Sequence, residues 1–238
     1  MAEWNSDSLE LVRAAAERGV CDAQAIHAQL LLDGRHVPQN AALALHYFEQ
    51  AARGGNAMGM NMVGRCLDQG WGVEKSPALA VPWFRAAAER GLDWGMYNLA
   101  TLLALGSGVP EDKYEAMQWL RKAAELGHVK SINLLGGFYE DGWVVRKDMA
   151  AARKHYESAA HGGDFRGQFN FARMLAEEGK TSEALTWLRK VPETGTPAFL
   201  QKMKAFFAKW PAPELQAFAS SLPLDGHTLL RCNEGLRS

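Results

Sequence analysis

The chain has 238 residues, 47 % of them apolar, with 26 Lys and Arg against 27 Asp and Glu and a formal net charge of −1. That length and apolar content allow a real core, as one large domain or two small ones. The balanced charge, with no block of like charges, argues against nucleic acid or an anionic membrane as partner, because both attract a basic excess. The first residues, Met1-Ala2-Glu3-Trp4-Asn5, lack the basic start and apolar run of a signal peptide, and no stretch of about 18 apolar residues is present to span a bilayer. The expected compartment is therefore cytoplasmic. Cys21, Cys66 and Cys232 are odd in number and lack CxxC spacing, so free thiols are expected rather than a disulfide framework or a zinc site.

Along the chain, Ala-Ala followed three residues later by Gly occurs at Ala15-Ala16/Gly19, Ala51-Ala52/Gly55, Ala87-Ala88/Gly91, Ala123-Ala124/Gly127 and Ala159-Ala160/Gly163, each step being 36 residues. The same step carries Gly34 to Gly70, Gly106 and Gly142. It also carries Ala28 to Gly64, Ala100, Gly136 and Ala172, always a small residue, as close helix–helix approach requires. A fixed period in this range means stacked supersecondary units that cannot bury their faces alone.

Each unit reads as two helices. The first runs from about Val20 to Asp33 in the first full unit, and a glycine-containing loop follows. The second helix starts after Asn40, Ser76, Asp112 or Asp148, four residues able to accept from free amides at one structural position. Its interior pairs Ala with an aromatic or Leu four residues on: Ala44/Phe48, Ala80/Phe84, Ala116/Leu120, Ala152/Tyr156 and Ala184/Leu188. Ala184 lies 32 residues after Ala152 rather than 36, so the fifth unit has lost four loop residues. Gly179-Lys180-Thr181 is what remains, with Gly179 ending one helix and Thr181 or Ser182 capping the next. The same three residues mimic the end of a phosphate-gripping loop, but Met174 stands where that loop needs a second Gly, and no strand precedes it. Gly70-Trp71-Gly72 and Gly106-Ser107-Gly108 belong to the longer version of this turn and are expected to have positive φ.

These residues resemble the Sel-one-like repeat (SLR) family, relatives of the tetratricopeptide repeat with a longer inter-helix loop. The matching stretches are Ile132-Asn133-Leu134-Leu135-Gly136-Gly137-Phe138-Tyr139-Glu140-Asp141-Gly142 and Gly106-Ser107-Gly108-Val109-Pro110-Glu111-Asp112, within a resemblance running from Ser8 to Val191. His36 and Val144 depart from it by replacing the second loop glycine, and His155 sits where Trp83 and Trp119 stand. The resemblance implies an all-α fold: an α/α solenoid of 36-residue helix-turn-helix repeats, a right-handed tetratricopeptide-like superhelix. Residues 1–195 form the repeat array, a partial N-terminal unit and about five repeats with the last one shortened. Residues 196–238 break the period and form a C-terminal helical cap and tail. Helices are expected from Pro197 to Lys209 and from Pro213 to Ser221, with Phe199, Met203, Phe206, Phe207, Trp210 and Phe218 apolar enough to cover the last exposed core face.

No catalytic constellation emerges. His27, His36, His46, His128, His155, His161 and His227 include no His-x-x-x-His pair. His27 occupies the slot of Val63, Leu99, Leu135 and Phe171 and reads as a packed core histidine, while Cys66, in register with Leu30, Leu102, Phe138 and Met174, reads as a small core residue. Ser107 lacks the Gly-x-Ser-x-Gly spacing of a nucleophile elbow. Neither a cofactor nor a metal is called for, and the chain reads as a non-enzyme.

Function in such arrays resides on the concave face lined by first helices. The expected groove comprises Asn61, Arg65, Trp94, Tyr97, Thr101, Lys130, Asn133, Phe169, Arg166 and Arg173. Trp94 and Tyr97 would anchor a partner, Asn61 and Asn133 would grip an extended peptide backbone, and Arg166 and Arg173 would hold an acidic group. The expected function is a protein–protein interaction scaffold or adaptor that binds a protein or peptide, compatible with a monomer. Two alternatives stand beside it: a binder or hydrolase of a small ligand such as a cell-wall fragment in the same cleft, and a toxin-neutralising partner protein.

Overall fold

The computed structural model describes residues 4–222 and is all-helical among them. Cys232 and His227 lie outside the described residues. The chain divides at His128/Val129 into two compact units. The first contains α1 (Ser6–Glu17), α2 (Cys21–Asp33), α3 (Ala41–Arg53), α4 (Ala57–Gln69), α5 (Pro77–Glu89), α6 (Asp93–Leu105) and α7 (Lys113–Glu125), each packed against its neighbour in sequence. The second contains α8 (Val129–Asp141), α9 (Met149–His161), α10 (Phe165–Glu177), α11 (Thr181–Leu188), the short α12 (Val191–Thr194), α13 (Pro197–Phe207) and α14 (Pro213–Ser221). The helices from α2 to α10 are all 13 residues long, and the paired helices form the α/α solenoid repeats that the period implies.

The period works through steric demand. A Cβ placed on Gly64 would lie 2.6 Å from the Phe84 ring, and one on Gly136 would lie 2.5 Å from the Tyr156 ring. At the same register Ala28, Ala100 and Ala172 are wholly buried. The Phe84 and Tyr156 rings, each four residues after a buried alanine of the second helix, therefore lie close against the small residue of the first helix, and Phe48, Leu120 and Leu188 hold the same position in the other repeats. Loop shape repeats as well. The backbone N–H groups of Asn40, Ser76, Asp112 and Asp148 donate to the carbonyls of Leu31, Leu67, Leu103 and Tyr139 at 2.7–2.9 Å, tying each second-helix start back to its first helix.

Asn40, Asp112 and Asp148 cap through their side chains as expected, whereas Ser76 occupies the cap position without that bond. In the shortened fifth pair Gly179 has φ +76°, but the cap of α11 is Lys180 and no side chain caps it. Thr181 is already the first helical residue, which corrects the expectation that Thr181 or Ser182 would cap. The two deviant loops differ from each other: Val144 takes up φ +54° like Gly72 and Gly108, whereas His36 keeps negative φ.

In the second unit α13 and α14 pack against the α10/α11 pair. Leu200, Met203 and Phe207 of α13 and Leu215 and Ala219 of α14 are buried in one cluster with Phe171, Leu175, Ala184 and Leu188. The boundary expected after residue 195, where the period ends, thus lies inside this unit.

Candidate partner-binding site

In the first unit Asn98 Nδ2 of α6 donates to Asn61 Oδ1 of α4 at 2.8 Å. Asn61 is only 2 % exposed, so it works as a strut between two first helices and not as an open grip on a peptide. The second unit repeats this: Asn170 Nδ2 of α10 donates to Asn133 Oδ1 of α8 at 2.9 Å, and Asn133 is buried. Both asparagines therefore depart from the expected role for the same reason.

Trp94 stands at the first turn of α6 and is 38 % exposed. Its ring meets Tyr97 edge-on at 6.0 Å and His128 at 4.7 Å, and the Tyr97 and His128 rings are 5.0 Å apart. The indole is thus fixed from two sides while part of its surface faces outward. Thr101, one turn on, donates its hydroxyl to the Tyr97 carbonyl at 2.9 Å within its own helix.

Arg65 of α4 lies with its guanidinium carbon 4.9 Å from the Trp71 ring centroid, and its Nη1 is 3.6 Å from Met62 Sδ. It faces a cavity of about 510 Å³ between α4 and the first loop, lined also by Gln29, Leu32, Asp33 and Gln39.

In the second unit Arg173 does not reach outward. Its Nη2 lies 2.7 Å from both carboxylate oxygens of Glu140, its Nη1 lies 2.8 Å from Glu177, and the Tyr156 hydroxyl donates to the same Glu140 at 2.7 Å. Burial and the Glu140 hydrogen bond push the Tyr156 phenol far above its ordinary value, while its two carboxylate partners hold the Arg173 guanidinium charged. The acidic group that Arg173 was expected to hold is already supplied by the chain.

Phe169 also departs from the groove. Its ring packs edge-on against Phe199, Phe206 and Phe207 at 5.4–5.9 Å, so α13 covers it. Arg166 is exposed and lies over Phe165 at 4.5 Å and Phe199 at 5.8 Å. Lys130, half-buried on the first turn of α8, adds positive charge near Asp164.

His27 is buried against Tyr47, ring centroids 4.9 Å apart, and burial lowers its pKa from the ordinary imidazole value. Burial pushes the Cys66 thiol up to about 11, away from reactive thiolate. Cys21 and Cys66 are free thiols. Among the described residues no His, Cys, Asp or Glu cluster could hold a metal ion, and no helix is long and apolar enough to cross a membrane.

The Sel1 repeat family model matches residues 21–56, 57–92, 95–128 and 129–164, more than half of the chain. The α10/α11 pair with the shortened loop falls outside those matches, as do the terminal helices. The crystal structure of a Sel1 repeat protein from Oxalobacter formigenes is similar at 24 % identity with a TM-score of 0.72, over 96 % of this chain and 98 % of that one. The structure of c5321, a protective antigen present in uropathogenic Escherichia coli strains and displaying an SLR fold, is similar at 26 % identity with a TM-score of 0.70, over 90 % of this chain and 47 % of that one. Immunity protein Pa5087 from Pseudomonas aeruginosa shares the fold at 19 % identity with a TM-score of 0.57, over 84 % of this chain and 80 % of that one. No match emerges among curated proteins.

Proposed function

The chain belongs to the Sel1 repeat family, and we propose that it is a non-enzymatic scaffold or adaptor that binds a protein or peptide partner on the first-helix face of its first unit. Sel1 repeat proteins are generally protein-interaction scaffolds. The observation that carries the reading here is Trp94, held by Tyr97 and His128 yet more than a third exposed. A large ring already fixed in place gives contact area at little entropy cost, which is why aromatic residues dominate binding energy at interfaces. Beneath it, the Asn61–Asn98 bond locks α4 to α6, so the face is rigid before a partner arrives. A cytoplasmic location belongs to the same reading, supported by the free Cys21 and Cys66.

The test is capture of a partner from native lysate, followed by affinity measurement with the purified partner. Trp94→Ala weakens binding by roughly 2 kcal/mol, about thirtyfold, and Lys75→Ala in the loop leaves it unchanged. Binding that survives Trp94→Ala in a folded variant but fails in Lys75→Ala moves the interface to the loop edge. A single tight toxin-like partner would narrow the scaffold role to neutralisation. Turnover of a cell-wall fragment by the purified chain would overturn it.

A further inference from the structure

Arg65 and Arg173 occupy the same position three 36-residue steps apart, and so do Leu32 and Glu140, and Gln69 and Glu177. In the second unit both acidic positions are filled, and Arg173 is neutralised by Glu140 and Glu177. In the first unit the corresponding residues are Leu32 and Gln69, neither of which carries charge. Arg65 accordingly has no ion pair among the described residues. Its guanidinium faces the cavity of about 510 Å³, of which Leu32 is itself a wall. Asp33, the acid in that wall, accepts from Gln29 Nε2 at 2.8 Å, and Gln39 Nε2 is turned to the Leu32 carbonyl. The Trp71 ring backs the guanidinium, with its centroid 4.9 Å from the guanidinium carbon.

We infer that Arg65 and Trp71 form a subsite for a carboxylate of the bound peptide, the external counterpart of the contact that Glu140 makes internally with Arg173. The inference rests on the scaffold reading and deepens it by naming the chemistry of one partner group. A guanidinium takes a carboxylate through charge-assisted N–H···O bonds, and Arg173 Nη2, bonded to both carboxylate oxygens of Glu140, shows that an arginine at this backbone position can hold a carboxylate. A terminal carboxylate and a Glu or Asp side chain share that chemistry.

The experiment follows the Trp71 indole N–H by NMR while three probes are titrated into the full chain: N-acetyl-alanyl-alanine, its C-terminal amide, and N-acetyl-glutamic acid α-amide. The expected result is a saturable shift with at least one acid and none with the neutral amide; the acid that binds identifies terminal or side-chain recognition. Arg65→Gln weakens the titration by about tenfold or more. Leu32→Glu places a carboxylate where Glu140 stands in the other unit, so it occupies Arg65, leaves the melting temperature equal or higher, and abolishes the titration. The inference is overturned if neither acid shifts the indole, if the amide shifts it equally, or if folded Arg65→Gln or Leu32→Glu titrates like the parent. Partner binding that is lost in Trp94→Ala but unchanged in Arg65→Gln would sink the subsite and leave the scaffold reading standing.

Discussion

One nitrogen of Arg173, Nη2, lies 2.7 Å from each carboxylate oxygen of Glu140, a residue 33 positions earlier on the preceding first helix. The Arg173 and Glu140 side chains are only 14 % and 22 % exposed, so removing one charge strands the other in a poorly hydrated place. Glu140→Gln or Arg173→Ala alone is expected to cost about 2 kcal/mol in urea unfolding, and replacing both with Met less than the sum of the single losses. Additive losses would mean that the two groups do not act as a pair. Partner affinity should be untouched in every variant that remains folded, because Arg173 is not offered to the outside.

Asp164 and Asn56 do one job three steps apart. Each caps a first helix through its side chain, Asp164 accepting from the Gly167 N–H at 2.8 Å and Asn56 from the Gly59 N–H at 2.7 Å. Asp164 is 4 % exposed, and burial raises its pKa above the ordinary 3.8 despite the Gly167 N–H bond and the nearby Arg166 and Lys130. A carboxyl with a raised folded-state pKa binds its proton more tightly when folded. Its contribution to stability is therefore best below 3.8 and is lost as pH rises through the folded value. Asp164→Asn keeps the cap and removes that penalty, as Asn56 demonstrates within the same chain. Thermal melts should find the variant more stable than the parent at pH 7, with the difference vanishing in acid. A variant that is less stable at pH 7 would show that the charge favours the cap more than burial opposes it.

The repeats were legible because every 36-residue step imposes the same steric demand, a small residue under an aromatic or Leu, and the sequence meets it with Ala or Gly each time. The candidate site was less legible because its contacts run off that register. Asn61 meets Asn98 at a separation of 37, and Arg173 meets Glu140 at 33, so lining up equivalent positions never brings the partners together. Phe169 looked open because the period assigns it to a first-helix face, whereas its cover comes from α13, where the period has already ended. Trp94, by contrast, keeps 38 % of its surface exposed although His128 and Tyr97 pack against its ring. The register of Arg65 is legible in the sequence, whereas its lack of an ion pair among the described residues shows only in the structure, beside the Glu140 and Glu177 that Arg173 holds.

Val144 is the one residue other than Gly with positive φ among the described residues, at +54°, in the loop position that Gly72 and Gly108 fill elsewhere. A β-branched side chain in the left-handed region crowds its own carbonyl, which costs about 1–2 kcal/mol, more than the extra unfolded-state entropy that a glycine would bring. Val144→Gly should therefore raise stability by about 1 kcal/mol. The reverse exchange has a second cost. A Cβ on Gly72 would stand 2.4 Å from the carbonyl carbon and oxygen of Ala41, and one on Gly108 would stand 2.3 Å from the Ala78 nitrogen, both rigid backbone at a helix start. Gly72→Val or Gly108→Val should then lose roughly 3 kcal/mol or more, since strained φ and overpacking act together. Chemical denaturation of the three variants decides the matter. Stabilisation by Val144→Gly alongside large losses at Gly72 and Gly108 supports a shared left-handed turn; a destabilised Val144→Gly would mean that the valine side chain supplies packing worth more than its strain.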